Sequence, residues 1–252
     1  MPRPDTTELQ LFAERLTARS VLSEEERQAI LTLPTHVIHV ARKHDFAYIN
    51  EETSYASLIA SGIVGRFGEG PSGARQITAF HLPGDIVDLH SAVRPVGIGG
   101  LSALCDTTIL RIPHAAIRGV AARYPAIAEA FWRDCMFDAA VLMQWIVNVG
   151  RRDARTRLAH IFCEMAIRCG NDREVLTEYA FPVTQEQLGD AAALTPVHVN
   201  RSLKTLKSLM TIRGGHVDIH DWDGLARVGE FDSAYLVADM APERNGRLLA
   251  VA

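Results

Sequence analysis

The segment from 182 to 219 reads PVTQEQLGDAAALTPVHVNRSLKTLKSLMTIRGGHVDI and carries two separate helix-start signals. Thr184, followed three residues later by Gln187, fits a capping box, in which each side chain satisfies a backbone amide at the other position. Thr195 followed by Pro196 fits an N-cap with proline at the first helical position. The segment therefore predicts two consecutive helices with a tight turn between them.

A glycine pair follows the second predicted helix. Gly214-Gly215 separates the short runs 210–213 and 216–219, and glycine tolerates the positive φ that two-residue hairpin turns require. A short helix, a tight turn, a capped helix and a hairpin in this order predict a winged helix-turn-helix.

This motif points to double-stranded DNA as the partner, because its second helix enters the major groove and its first residues reach base edges. Arginine can donate two hydrogen bonds to guanine, and asparagine can pair with adenine. Hydroxyl groups and cationic side chains can hold phosphates. The predicted DNA-binding residues are Thr184, Gln185, Thr195, Pro196, Val197, His198, Asn200, Arg201, Lys204 and Arg213.

Residues 34–113 have a different residue pattern, typical of short strands. Short β-rich runs at 35–40, 56–64, 76–81 and 101–112 alternate with Gly/Pro turns. Many short strands separated by turn residues predict an antiparallel sandwich or roll rather than a parallel sheet.

A long helix is predicted over 124–149, which contains no glycine and no proline after Pro125 at its start. Apolar residues recur at helical spacing on two faces, one including Ile127, Phe131 and Trp145 and the other including Trp132 and Met143. Two apolar faces need two partners. The first could be the β-domain and the second the same helix of another subunit, although a central core helix of a monomer stays open.

The composition narrows the class of protein. Of 252 residues, 48% are hydrophobic and 22% are charged, which predicts one or two globular domains and excludes a disordered or disulfide-dense chain. The net charge of −4 excludes a uniformly basic nucleic-acid binder. The four cysteines lack metal-ligand spacing, and we identify neither a signal peptide nor a membrane-spanning run. We therefore expect a cytoplasmic protein with reduced thiols and no membrane contact.

The order of these parts resembles the Crp–Fnr family of bacterial transcription regulators. The matching segments are 73–77, 80–85, 103–113, 157–159 and 184–201. The resemblance implies an α+β fold with an N-terminal cyclic-nucleotide-binding-type β-roll (jelly roll), a long dimerisation helix and a C-terminal winged helix-turn-helix. It implies the domains 1–122, 123–150 and 151–236, followed by a tail at 237–252. It also implies a homodimeric regulator without enzymatic activity that binds a palindromic operator and, if it activates, contacts RNA polymerase.

The chain departs from the family at the ligand site. Members that bind cyclic AMP place a glutamate on the ribose and an arginine on the phosphate, whereas this chain has Leu89 at the first position and no arginine within 96–100. Because a buried phosphate needs a cationic partner, we expect no cyclic-AMP contacts, an unknown effector and no cofactor. Fnr-type iron–sulfur ligation is also absent, since no cysteine precedes Cys105. Candidate residues for another ligand are Arg75, Gly84, Asp85, Leu89 and Arg94.

The recognition helix departs as well. Only Arg201 falls on a base-reading position of the family pattern, and Val197 cannot accept a hydrogen bond from cytosine. We therefore expect an operator that differs from the family's usual half-site.

Histidines in the β-rich region leave two alternatives. A cupin-like metal-dependent enzyme could use three of them together with Asp85 or Asp88, and a haem sensor could use His81, His90 or Cys105 as an axial ligand. Against the metal site, His36 and His39 are three apart on a predicted strand and so face opposite sides. Ordinary polar and core roles are favoured for all of them: His36, His39, His44, His81 and His90.

Overall fold

The computed structural model describes residues 5–170 and 174–236, which form two compact units. The first unit comprises 5–64 and 81–138, and the second comprises 65–80 and 139–236. The predicted tail at 237–252 lies outside the described residues. The predicted α+β class is confirmed, because helices and antiparallel strands both contribute to each unit.

The elements follow one another in this order. The N-terminal part contains α1 (Asp5–Arg19), α2 (Glu24–Leu31), β1 (His36–Val40), β2 (Asp45–Ala47), β3 (Tyr55–Ser61), β4 (Val64–Glu69), β5 (Arg75–His81), a 3-10 turn (Leu89–Ala92), β6 (Gly100–Ala103) and β7 (Thr107–Pro113). The rest contains α3 (His114–Arg123), α4 (Pro125–Arg151), α5 (Ala154–Cys169), β8 (Glu178–Ala180), α6 (Gln185–Ala192), α7 (Pro196–Thr205), β9 (Met210–Arg213), β10 (His216–Ile219), α8 (Trp222–Val228) and a 3-10 turn (Ser233–Tyr235).

Short antiparallel strands build the first unit. Strand β7 lies between β1 and β3, and β2 pairs with β6. The run predicted over 101–112 is two strands, because a turn at 104–106 separates β6 from β7. Gly62 ends β3 at φ 91°, where an added Cβ would lie 2.8 Å from the Asp106 carbonyl oxygen. This close approach explains why the predicted strand 56–64 breaks there.

Helix α1 joins the core of the first unit. Its apolar residues Leu9, Phe12 and Leu16 are buried, and the Phe12 ring stacks on Phe131 of α4 with centroids 6.2 Å apart. The spacing of three and four residues places these side chains on one face. Helix α1 thus covers the strands and the first half of α4.

Helix α4 has the two predicted faces. Its 27 residues span about 40 Å. Ile127 and Trp145 are buried, whereas Trp132 and Met143 are 64% exposed each. The helix also runs through Gly150, the residue at which we predicted its end, because Gly150 is exposed and meets no neighbour that would force a turn. The next helix begins only after Asp153, whose carboxylate caps Thr156 N at 2.9 Å.

Helix α5 is the centre of the second unit, with every residue from 158 to 168 buried. Helices α6, α7 and α8 and strand β8 contact it, and the β4–β5 hairpin and the sheet ordered β8-β10-β9 belong to the same unit. None of the helices in the described ranges is both long and apolar enough to cross a bilayer.

Candidate nucleic-acid interface

The N-terminus of α6 is fixed by the predicted capping box. Thr184 Oγ1 accepts a hydrogen bond from Gln187 N at 3.2 Å, and Gln187 Oε1 accepts one from Thr184 N at 2.8 Å. These bonds satisfy two of the amides that a helix N-terminus leaves without an intrahelical partner. The helix therefore begins at Gln185.

A tight turn connects α6 to α7. Ala193 adopts the left-handed conformation at φ 53° and ψ 48°, and Leu194 N donates to Gly189 O at 2.9 Å. An added Cβ on Gly189 would lie 2.5 Å from the Leu194 carbonyl oxygen, so the turn packs against a position that only glycine fits. Thr195 Oγ1 then caps His198 N at 3.3 Å, and Pro196 opens α7 as predicted.

Helix α7 separates a buried face from a polar, exposed one. Val199 and Leu206 are fully buried, whereas Val197 is 69% exposed. Asn200 is half-buried. The exposed predicted residues of this helix and its cap are Thr195, Pro196, Val197, His198, Arg201 and Lys204.

The predicted hairpin, which we call the wing, follows α7 and consists of β9 and β10. Gly214 and Gly215 form its turn with φ values of 59° and 78°, a pair of positive angles that suits a two-residue hairpin. Arg213 is exposed and stands opposite His216 across the hairpin. Strand β10 also pairs with β8, so the wing is anchored in a three-stranded sheet.

Two side chains hold the C-terminal end of α6. Gln76 Nε2, from the β4–β5 hairpin, donates to Ala191 O at 3.0 Å, and Arg157 Nη1, from α5, donates to Ala192 O at 2.9 Å. Donors at this end satisfy carbonyls that lack intrahelical partners, and a cation there also favours the helix dipole. The C-terminal end of α6 is thus fixed to both the β4–β5 hairpin and α5.

Sequence reasoning missed two exposed cationic or titratable side chains near this surface. Lys207 follows α7 three residues after Lys204, and His216 lies across from Arg213 at the wing. Lys207 comes directly after the predicted helix and His216 directly after the glycine pair, and these positions could have identified both residues from the sequence.

Comparison with known proteins identifies this domain. Residues 156–228 match a family model described as a Crp-like helix-turn-helix domain. The regulatory protein HlyX of Actinobacillus pleuropneumoniae is 25% identical over 169 residues, covering 66% of this chain and 70% of that protein. Residues 156–228 are thus a Crp-like helix-turn-helix domain, and the chain is similar to Crp–Fnr regulators over about two thirds of its length. It is a transcription regulator of this type, with DNA binding through its helix-turn-helix.

Other Crp–Fnr proteins cover more of the chain. The nitrogen fixation regulation protein FixK of Azorhizobium caulinodans is 24% identical over 199 residues, covering 77% of this chain and 79% of that one. The structure of FixK2 from Bradyrhizobium japonicum matches with a TM-score of 0.70 at 23% identity, over 78% of this chain and 98% of that one. At this identity the structural match shows the fold.

The candidate ligand residues divide between the two units. Arg75 lies in the second unit, where it pairs with Glu69 at 3.3 Å and covers the Phe67 ring. The others lie in the first unit, where Leu89 is part of the hydrophobic core and Arg94 is exposed.

The Gly84-Asp85 turn is occupied by contacts within the chain. Asp85 pairs with Arg15 of α1 at 2.7 Å, and its carboxylate also accepts from Leu82 N at 2.7 Å. Gly84 adopts φ 90°, and its amide donates to Ile59 O. The turn therefore has a structural role in binding α1 to the strands.

The histidines take separate positions. His36 lies edge-on to the Tyr55 ring, His39 contacts Thr108 Oγ1, and His81 is buried 3.9 Å from Asp85. Within residues 5–170 and 174–236, no three His, Cys, Asp or Glu side chains are grouped so that they could hold a metal ion.

Proposed function

We propose that this Crp–Fnr regulator binds a palindromic operator as a homodimer, with α7 in the major groove. The observation that carries the proposal is the division of α7, where buried Val199 and the buried C-cap residue Leu206 fix the helix and exposed Arg201 and Lys204 project from it. Arg201 is suited to guanine O6 and N7. The residues proposed to hold phosphates are Thr184, Gln185, Thr195, Lys204 and Arg213, and those proposed to line the groove are Pro196, Val197, His198 and Asn200.

The exposed face of α4 supports the homodimer. The residues 132, 136, 139, 143, 146 and 150 are all exposed and follow one another at alternating spacings of four and three. This is the heptad pattern of a helix that pairs with another helix. A second copy of the same helix satisfies it through a two-fold axis, which also gives the operator its symmetry.

The contacts of Leu89 and Asp85 in the first unit support regulation without cyclic AMP. Leu89 is part of the apolar core, and the Asp85 carboxylate pairs with Arg15. If the regulator activates transcription, RNA polymerase is its further partner.

One selection experiment tests this function. Double-stranded DNA with a random region is selected for binding to the full-length protein, with and without cyclic AMP. We expect two half-sites related by a two-fold axis and centred roughly 34 Å apart, with the same enrichment in both arms. Recovery of no sequence, or of one unpaired half-site, would contradict the proposal, and enrichment only with cyclic AMP would contradict its ligand part.

A further inference from the structure

Gln185 and Asn200 connect the two helices of the DNA-binding motif. Gln185 is the first residue of α6, and Asn200 lies in the middle of α7. The Asn200 side-chain Nδ2 donates to Gln185 Oε1 at 3.4 Å. This contact joins the start of the supporting helix to the outward part of the recognition helix.

Contacts outside the pair hold the backbone of both Gln185 and Asn200. The capping box between Thr184 and Gln187 encloses Gln185. Asn200 lies between Val199, which is fully buried, and Arg201, which is exposed. Both backbone positions are thus held by contacts outside this pair, and the Gln185 and Asn200 side chains complete the contact between the helices.

The orientation of an asparagine amide decides what it can recognise. Its terminal torsion has a broad, two-fold preference, and a flip exchanges the oxygen acceptor with the nitrogen donor. Adenine in the major groove requires an acceptor facing N6 and a donor facing N7. An amide held in one orientation presents that order, whereas a rotating amide presents both orders in turn.

We propose that Gln185 is a specificity-determining positioning residue that holds the Asn200 amide for adenine. One Nδ2 hydrogen of Asn200 binds Gln185 Oε1, which leaves the second hydrogen for adenine N7 and Oδ1 for adenine N6. Gln185 therefore acts on base preference through Asn200, while Arg201 acts on a separate base pair. The inference rests on the proposed function, since it assumes that α7 lies in the major groove.

The test measures base preference with four variants of the full-length protein. Binding constants are determined for the selected operator and for operators carrying each base in turn at every position of the half-site. The variants are Gln185→Ala, Asn200→Ala, the double variant and Gln185→Glu. Glu186→Gln serves as the matched control, because it changes the adjacent exposed residue of α6.

We expect the wild type to prefer adenine at one position by roughly 5- to 150-fold, the range for a good bidentate pair. Asn200→Ala and Gln185→Ala should each reduce that preference at that position alone, and the double variant should lose no more than Asn200→Ala. Gln185→Glu should keep the preference, because its carboxylate accepts from the same Nδ2, but it should weaken binding to every DNA because its charge faces phosphates. Glu186→Gln should keep the preference.

Three results would overturn the positioning role. The first is a Gln185→Ala variant that keeps the adenine preference, and the second is a Gln185→Ala variant whose base preference weakens equally at every position of the half-site. The third is a Gln185→Glu variant that loses the preference. These failures differ from a failure of the proposed function, in which the wild type itself would not distinguish operator from scrambled DNA.

Discussion

The Trp145 indole nitrogen donates a hydrogen bond to Glu164 Oε2 at 2.9 Å, joining α4 to α5 in the interior of the second unit. Glu164 also accepts from Tyr235 Oη at 2.8 Å and pairs with Arg168 at 3.1 Å. The Glu164 and Arg168 side chains are both almost fully buried. A buried charge with several donors is costly to disrupt, because the remaining partner loses its compensation.

Glu164→Ala should therefore destabilise the protein strongly. We expect a loss of roughly 3–5 kcal/mol in the free energy of unfolding, since the change leaves the Arg168 guanidinium buried without its carboxylate. Urea unfolding followed by circular dichroism measures it. The control is Glu230→Gln, where the carboxylate of an Arg152 pair is 70% exposed and the expected loss is below about 1 kcal/mol. Equal losses in both variants would show that the buried contacts do not stabilise the unit.

Asp134 should make stability depend on pH. Burial raises the pKa of Asp134 to about 7, although the Arg19 guanidinium at 2.9 Å opposes this rise. The neighbouring Asp138 and Asp85 raise the pKa further, and Arg15 lowers it. Between its ordinary pKa and about 7, the folded chain keeps a proton that the unfolded chain has released. The free energy of unfolding should thus fall as the pH rises through this window.

Asp134→Asn should remove that contribution. The stability of the wild type relative to the variant should decrease from pH 5 to about pH 7 and then level off, as measured by urea unfolding at several pH values. A difference that stays constant over this range would mean that Asp134 is ionised throughout.

Met143 tests the proposed dimer. It is 64% exposed within one chain, so Met143→Glu should change the stability of the folded subunit little. In the dimer it would bury an unpaired charge and should cause dissociation at micromolar concentration. Sedimentation velocity measures the association state, and Gln144→Glu is the control with the same charge one residue away. A monomeric wild type, or a Met143→Glu variant that remains dimeric, would contradict the proposed pairing of two copies through the exposed face of α4.

Local signals predicted the DNA-binding motif better than the remaining fold. Thr184, Thr195 and Gly214-Gly215 act through bonds or torsions within a few residues, and all are found in their predicted roles. The contacts of α1 could not be predicted in this way. Arg15 reaches Asp85, and Arg19 reaches Asp134, 115 residues away in the sequence. Such pairs depend on tertiary packing, which periodicity and capping patterns do not encode.

The same limit applies to the faces of α4. The three-residue spacing from Leu142 to Trp145 puts both on one helical stripe, but Leu142 is 37% exposed and Trp145 is buried. Trp145 packs edge-on against Phe80 with ring centroids 5.1 Å apart. A substitution of Trp145 would therefore disturb the interior of the second unit rather than a subunit interface. Sequence spacing gives the period of a helix, whereas the neighbours decide which side is covered.

The most direct test of the central claim compares Arg201→Ala with Arg213→Ala in binding titrations at several salt concentrations. Each variant is titrated against the selected operator and against scrambled DNA. Arg201 is exposed on α7, and Arg213 is exposed at the wing. We predict that Arg201→Ala costs roughly 1–3 kcal/mol on the operator and relaxes the preference at one base pair of each half-site. Arg213→Ala should weaken both DNAs alike and lower the salt slope by about one for each phosphate that the variant no longer neutralises. If Arg201→Ala instead weakened operator and scrambled DNA equally, Arg201 would bind phosphate, and the placement of α7 in the major groove would be wrong.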